Sequence, residues 1–186
     1  MTINEKIVDY NENEEEINKW LSLKGEKKYL EYIAFLESKD IEVNWIVLDD
    51  TFRYDKRLLF NIFKYFSFFE DYLRAIVWNC SEITYKHLES SVFKDVAKEI
   101  IEHTEKYKNY YLKIDRLATN YLYVNYIRNR VCHNKIILTA KKNNKDLREL
   151  LILFKDCLPT DYVSGFVKEI NGCSKGLCSP GAIVIL

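Results

Sequence analysis

The chain has 186 residues, 48% of them hydrophobic and 15% aromatic, which suffices for one good core and excludes general disorder. Only 5 Gly and 2 Pro occur, and a chain so poor in breakers and rich in Leu, Ile, Lys and Glu is expected to be mostly helical. The net charge of +0 hides an asymmetry: residues 1–50 hold 13 acidic against 6 basic residues, while Lys106 to Arg148 hold 11 basic against 2 acidic, a balance that suggests a polyanionic partner.

The acidic start, MTINEKIVDYNENEEEI, lacks an apolar stretch, so no secretory signal is expected. Five cysteines, Cys80, Cys132, Cys157, Cys173 and Cys178, are odd in number and irregular in spacing, which fits free thiols in a reducing cytoplasm. Residues 13–38 predict one helix, or two short ones broken near Gly25, with Trp20, Leu21, Leu23, Tyr29, Leu30, Ile33, Ala34 and Leu36 on the apolar face. IEVNWIVL (41–48) is short and β-branched, readable as a strand or as a packed connector. From Asp55 to about Ser81, Leu59, Ile62, Phe63, Phe66, Phe69, Leu73, Val77 and Cys80 recur at intervals of three and four, the stripe of a long helix.

A helix over residues 91–106 and a longer one from about Tyr107 to His133 follow. KKNNKD (141–146) is a polar turn, and KDLRELLILFKDCL (145–158) is an amphipathic helix ended by Pro159. Gly165, Gly172, Gly176 and Gly181 then give the tail the look of a loose appendix. Its longest apolar run, GAIVIL, is too short to span a membrane, so no membrane partner is expected. Cys173 and Cys178 have no second ligand pair nearby, and neither a metal nor another cofactor is expected.

The stretch with chemistry in it is YIRNRVCHNKIIL, residues 126 to 138. Placed at 100° steps, Leu117, Val124, Ile127 and Val131 form a core stripe; Leu122, Tyr126, Asn129 and His133 fall nearly opposite, and Arg128 lies on the flank. An imidazole exchanges protons near neutrality, a guanidinium fork matches a phosphate, and an adjacent amide can position either. Together they suit RNA cleavage by the ribose 2′-hydroxyl on its own phosphate, which needs no metal and no protein nucleophile. Arg130 reads as a solvated charge, and Arg130, Lys135 and Tyr126 are the nearest candidates to touch RNA. Glu70 lies on the apolar stripe, where a carboxylate needs a partner. Arg74 at i+4 and Arg128 are the two alternatives for it, while Asp71 points elsewhere into solvent. His87 and His103 lie on polar surfaces and carry no role.

IRNRVCHNKII resembles the signature of HEPN domains, an Arg followed by a polar residue and then a His, and Arg128, Asn129 and His133 fit its four-residue spacing. The form RNxxxH followed by apolar residues is similar to the Abi-like (abortive-infection) branch, whose helix reads close to RNxCAHxxRL. Here Val131 precedes Cys132, and Lys135 stands where an Arg is common and where the HEPN partners of minimal nucleotidyltransferases have a tyrosine. FFEDYLRAIVW (68–78) resembles an earlier HEPN helix in which an acidic residue precedes an Arg by a turn.

The resemblance implies an all-α, HEPN-like helical bundle over residues 49–158, with an acidic N-terminal helical extension (1–48) and an irregular C-terminal tail (159–186). It implies a metal-independent endoribonuclease in which His133 is general acid/base, Arg128 clamps phosphate and Asn129 orients, supported by Glu70 and Arg74. It also implies a homodimer with a composite active site, and a setting in bacterial phage defence or as a toxin, with an antitoxin or a phage-encoded trigger as partner. Two rival readings accompany it: a HEPN protein that binds RNA or nucleotide without cutting, and a helical dimeric interaction module in which RNRVCH only caps a helix.

Overall fold

The computed structural model describes residues 3–80, 92–111 and 113–186, and among these it has eight α-helices, two short 3-10 helices and no β-strand, an all-α fold. None of the described helices is long and apolar enough to cross a membrane. The chain forms two compact units, residues 1–58 with 172–183, and residues 59–171 with 184–186.

The first unit contains α1 (Glu14–Lys24), α2 (Glu26–Glu37) and the start of α3 (Trp45–Cys80). Gly25 breaks α1 from α2 at φ 88°, a conformation that favours a residue without Cβ. Ile17, Tyr29, Tyr32, Ile33 and Leu36 are buried, as are Leu48, Phe52 and Tyr54 of α3, with the Tyr29 and Tyr32 rings against Phe52, whereas Leu23, expected on the apolar face, is 65% exposed. The Tyr32 hydroxyl donates to buried Asp55 at 2.7 Å, and the rings of Tyr29 and Phe52 stack at 5.5 Å. IEVNWIVL is a packed connector running into the first turn of α3, since Val47, Leu48, Thr51 and Phe52 continue one buried helical face. The helix therefore begins ten residues before the predicted Asp55.

Residues 172–183 are no loose appendix. Asp50 Oδ2 accepts the backbone N–H groups of Cys178 (2.7 Å) and Ser179 (2.9 Å), and Arg57 donates to the carbonyls of Cys173 and Lys175. The Gly181 N–H donates to Thr51 Oγ1 at 2.8 Å, and a Cβ there would lie 2.0 Å from Leu36 Cδ2, so only glycine fits the approach.

The second unit holds the rest of α3 with α4 (Phe93–Glu102), α5 (Thr104–Tyr107), α6 (Ile114–Cys132), α7 (Leu147–Cys157) and α8 (Thr160–Asn171). The helix predicted over 91–106 is split at His103, whose own N–H caps α4 by donating to the Glu99 carbonyl. The one predicted from Tyr107 starts seven residues later, because residues 108–110 turn and buried Tyr111 sends its hydroxyl to the Cys157 carbonyl. Phe66 and Phe154 stack at 3.9 Å with Phe69, Phe93 and Phe166 around them, a cluster in which each buried ring contributes about 2–3 kcal/mol. On α3, Ile62, Phe66, Phe69, Leu73 and Val77 of the expected stripe are buried, Tyr65 and Ile76 widen it, and Phe63, expected in it, is 49% exposed.

The start of the tail is helical, a correction to the irregular segment expected from residue 159. Phe166 and Ile170 of α8 bury one face, Glu169 pairs with Lys64 of α3 at 2.6 Å, and Tyr162 N–H closes the first turn on the Pro159 carbonyl. Gly165 is tolerated inside this helix because the Tyr65 hydroxyl lies 2.7 Å from where a Cβ would be.

Candidate functional site

The site residues cluster on α6, whose position is set by its apolar stripe. Leu117, Val124, Ile127 and Val131 are all buried as the spacing predicts, and α6 packs chiefly against α7 and then α4. The opposite side is open: Leu122 is 66% exposed, Asn129 and His133 are exposed and Tyr126 is half-buried. The helix stops at His133, its C-cap residue, where Asn134 enters the left-handed region at φ 50°. Asn134 N–H donates to the Val131 carbonyl and Lys135 N–H to the Arg130 carbonyl, both at 3.0 Å, which together form a Schellman turn. Beyond it Ile136, Ile137 and Leu138 are buried. His133 is thus exposed on a backbone held from both sides.

Glu70 of α3 meets both of its possible partners. Its Oε1 accepts from Arg128 Nε at 2.9 Å and its Oε2 from Arg74 Nη2 at 3.1 Å, with the carboxylate side chain only 12% exposed. Arg74 also donates to Asp71 at 3.2 Å, so Asp71, though exposed, is not merely solvated as the sequence suggested. Burial works against the charge on Arg128, but the bond and the charge of Glu70 outweigh it, and the guanidinium is held above its ordinary pKa. Only Nε is used. The two terminal nitrogens of Arg128 make no hydrogen bond among the described residues, and its side chain is 25% exposed, so an anchored guanidinium presents an open fork.

Asn129 and His133, one turn apart on the exposed face, have side chains with no hydrogen bond among the described residues. Arg128 and His133 are five residues apart, about 140° around the helix axis at 100° per residue. Cys132 is one turn beyond Arg128 and was missed as a neighbour of the site. Partial burial pushes its thiol pKa up and Arg128 opposes this only in part, which disfavours a thiolate nucleophile.

Arg130 departs most from expectation. It is not a solvated charge: Nη2 donates to the Ile136 carbonyl and to Thr139 Oγ1, and Nη1 reaches the Tyr126 hydroxyl at 3.4 Å. Its guanidinium staples the segment after the Schellman turn, retaining charge but not a free fork. Tyr126 also accepts the Lys141 N–H at 3.3 Å, and Lys135 is exposed. Asn134 directly after His133 was the sequence signal for this turn. His103 bonds within its own helix turn, to the Glu99 carbonyl, and His87 lies outside the described residues. A hollow of about 340 Å³ elsewhere on the second unit, lined by Tyr72, Tyr110 and Lys113 among others, involves none of the predicted site residues.

No protein family, curated protein or solved structure matches this chain in sequence or fold.

Proposed function

We propose that this chain is a metal-independent endoribonuclease of the HEPN type, of the Abi-like branch, acting in phage defence or as a toxin. The observation that carries the reading is the Glu70–Arg128 bond at 2.9 Å. A guanidinium fixed through Nε and open at both terminal nitrogens is suited to grip two oxygens of a phosphodiester and to offset the charge that builds up as the phosphorus becomes five-coordinate. The imidazole of His133 takes the proton of the ribose 2′-hydroxyl. The 2′-oxygen bonds to phosphorus, the 5′-oxygen leaves with a proton, and the product ends in a 2′,3′-cyclic phosphate. Asn129, one turn from His133, orients the imidazole or the ribose.

The wide angle between Arg128 and His133 on one helix favours a site shared by two copies. The exposed face of Leu122, Tyr126, Asn129 and His133 is the surface on which such a pair would meet, each copy bringing its histidine towards the other's arginine. In this reading one imidazole serves as base and the second as acid.

A specific observation also favours a non-catalytic alternative, a HEPN protein that only binds RNA or a helical dimeric module: His133 is the cap of α6, as a residue with a purely structural task would be. The deciding experiment is cleavage of several RNAs in EDTA by wild-type protein and by His133→Ala, with the product ends identified. Cyclic-phosphate ends made by the wild type and not by the variant support the ribonuclease. No cleavage by a verified dimer moves the assignment to the binding protein.

A further inference from the structure

The turn read as KKNNKD has a definite shape. Asn143 (φ 48°) and Asn144 (φ 63°) are both left-handed, the requirement of a type I′ turn, and Lys142 and Lys145 exchange both backbone hydrogen bonds at 3.0 Å. Two residues so paired point their side chains to the same face. Both lysines lean back over α6: Lys142 Nζ lies 5.8 Å from the Tyr126 ring and Lys145 Nζ 5.8 Å from the Tyr123 ring. Arg130 Cζ is 5.9 Å from the same Tyr126 ring.

Like charges directly opposite each other on a rigid pair are unfavourable unless something answers them. No carboxylate among the described residues does so. Lys141, Lys142, Lys145 and Lys135 form no ion pair among the described residues. The one acidic residue between Tyr126 and Arg148, Asp146, is committed to the start of α7, its Oδ1 accepting the Glu149 N–H at 3.0 Å while Glu149 Oε2 accepts the Asp146 N–H at 2.9 Å. The tyrosine rings hold the ammonium groups in place without neutralising them.

We infer that the Lys142–Lys145 hairpin, braced on Tyr123 and Tyr126, is a binding site for the phosphate backbone of single-stranded RNA, which it leads along α6 towards Asn129 and His133. The choice of RNA as the polyanion rests on the ribonuclease reading, but the site works whether or not the chain cuts what it binds. The two asparagines keep the pair of lysines in register, so the hairpin meets the strand already arranged. Phosphate contacts of this kind set affinity and orientation and do not read sequence.

The test uses full-length His133→Ala, which keeps RNA intact, and measures binding of a short unstructured RNA across a salt series by fluorescence anisotropy. Adding Lys142→Gln and Lys145→Gln should weaken binding and make the slope of log K against log salt shallower by about 1.4, two phosphate contacts at about 0.7 each. Lys27→Gln with Lys39→Gln, the same charge change in the first unit, should leave the slope as it was, and arginine at both hairpin positions should restore it. Thermal midpoints of all variants verify folding. An unchanged slope in the hairpin double variant overturns the inference, as does loss of binding to anionic phospholipid vesicles with RNA binding untouched. Cleavage by the wild type is scored on the same RNA. A chain that cuts but has a salt slope indifferent to the hairpin refutes this site alone; one whose slope depends on the hairpin but that never cuts refutes the catalytic reading alone.

Discussion

Replacing Glu70 by Gln tests the centre of the site with almost no change of volume. The carboxylate accepts one bond from Arg128 and one from Arg74. An amide in its place can accept from one guanidinium but turns its own N–H groups towards the other. Bonds to charged groups contribute about 1.5–3 kcal/mol each, so losing one and weakening the other costs roughly 3 kcal/mol. Asp71 still answers Arg74, and the 25% exposure of Arg128 lets water replace part of the loss, which leaves about 2 kcal/mol. For a chain of this length that lowers the thermal midpoint by about 4–8 °C. If Arg128 grips the scissile phosphate, its loosened guanidinium should slow cleavage by about a hundredfold. Scanning calorimetry gives the first quantity and a fluorogenic RNA substrate the second. Arg74→Met is the control, since it removes the other partner and leaves the Arg128 bond in place. An unaltered midpoint and cleavage rate in Glu70→Gln, or an equal loss of cleavage in Arg74→Met, would refute the claim that Glu70 acts through Arg128.

Gly165→Ala gains about 1 kcal/mol of helix propensity but presses its Cβ on the Tyr65 hydroxyl, so it should be more favourable by about 1–2 kcal/mol in a Tyr65→Phe background than in the wild type in denaturant titrations. At the left-handed position after His133, Asn134→Val should cost about 1–2 kcal/mol while Asn134→Gly should cost nothing; equal midpoints for the two would argue against the Schellman turn. Burial first, and the adjacent Lys28 next, push the Lys56 amine down to about 8 from its ordinary 10.5. The unfolded chain therefore binds more protons between those values, and the thermal midpoint should rise as pH climbs from about 8 to about 10, where unfolded tyrosines begin to oppose it. Lys56→Met should flatten that rise.

Most of the candidate site was legible because it depends on one helix with unmixed periodicity. Buried Leu117, Val124, Ile127 and Val131 alternate with polar or exposed residues, so the faces of α6 follow from spacing. Glu70 was marked by its own misfit on an apolar stripe. Segments with aromatics on every side misled. On α3, Phe63 read as core beside Phe66 and Phe69, yet Phe63 is 49% exposed while Tyr65 is buried, and only packing against the neighbouring helices decides how far the stripe extends to either side. The tail misled for the opposite reason. Gly165 and Gly181 read as slack, but each is a place where another side chain comes too near for a Cβ, a tertiary fact with no local signature. The double role of Arg130 was hidden because its acceptors, the Ile136 carbonyl and Thr139, lie past a reversal of the chain.

The Schellman turn at His133 has a consequence for how the spacing of the motif can vary. The imidazole stands in solvent, but the backbone that carries it is pinned between the end of α6 and the buried Ile136–Ile137–Leu138 plug. One residue inserted between Arg128 and His133 would carry the histidine about 100° around the axis and shift the plug out of its socket, so that chemistry and folding would fail together. The distance from arginine to histidine in this chain is therefore a structural dimension, as fixed as the length of a helix.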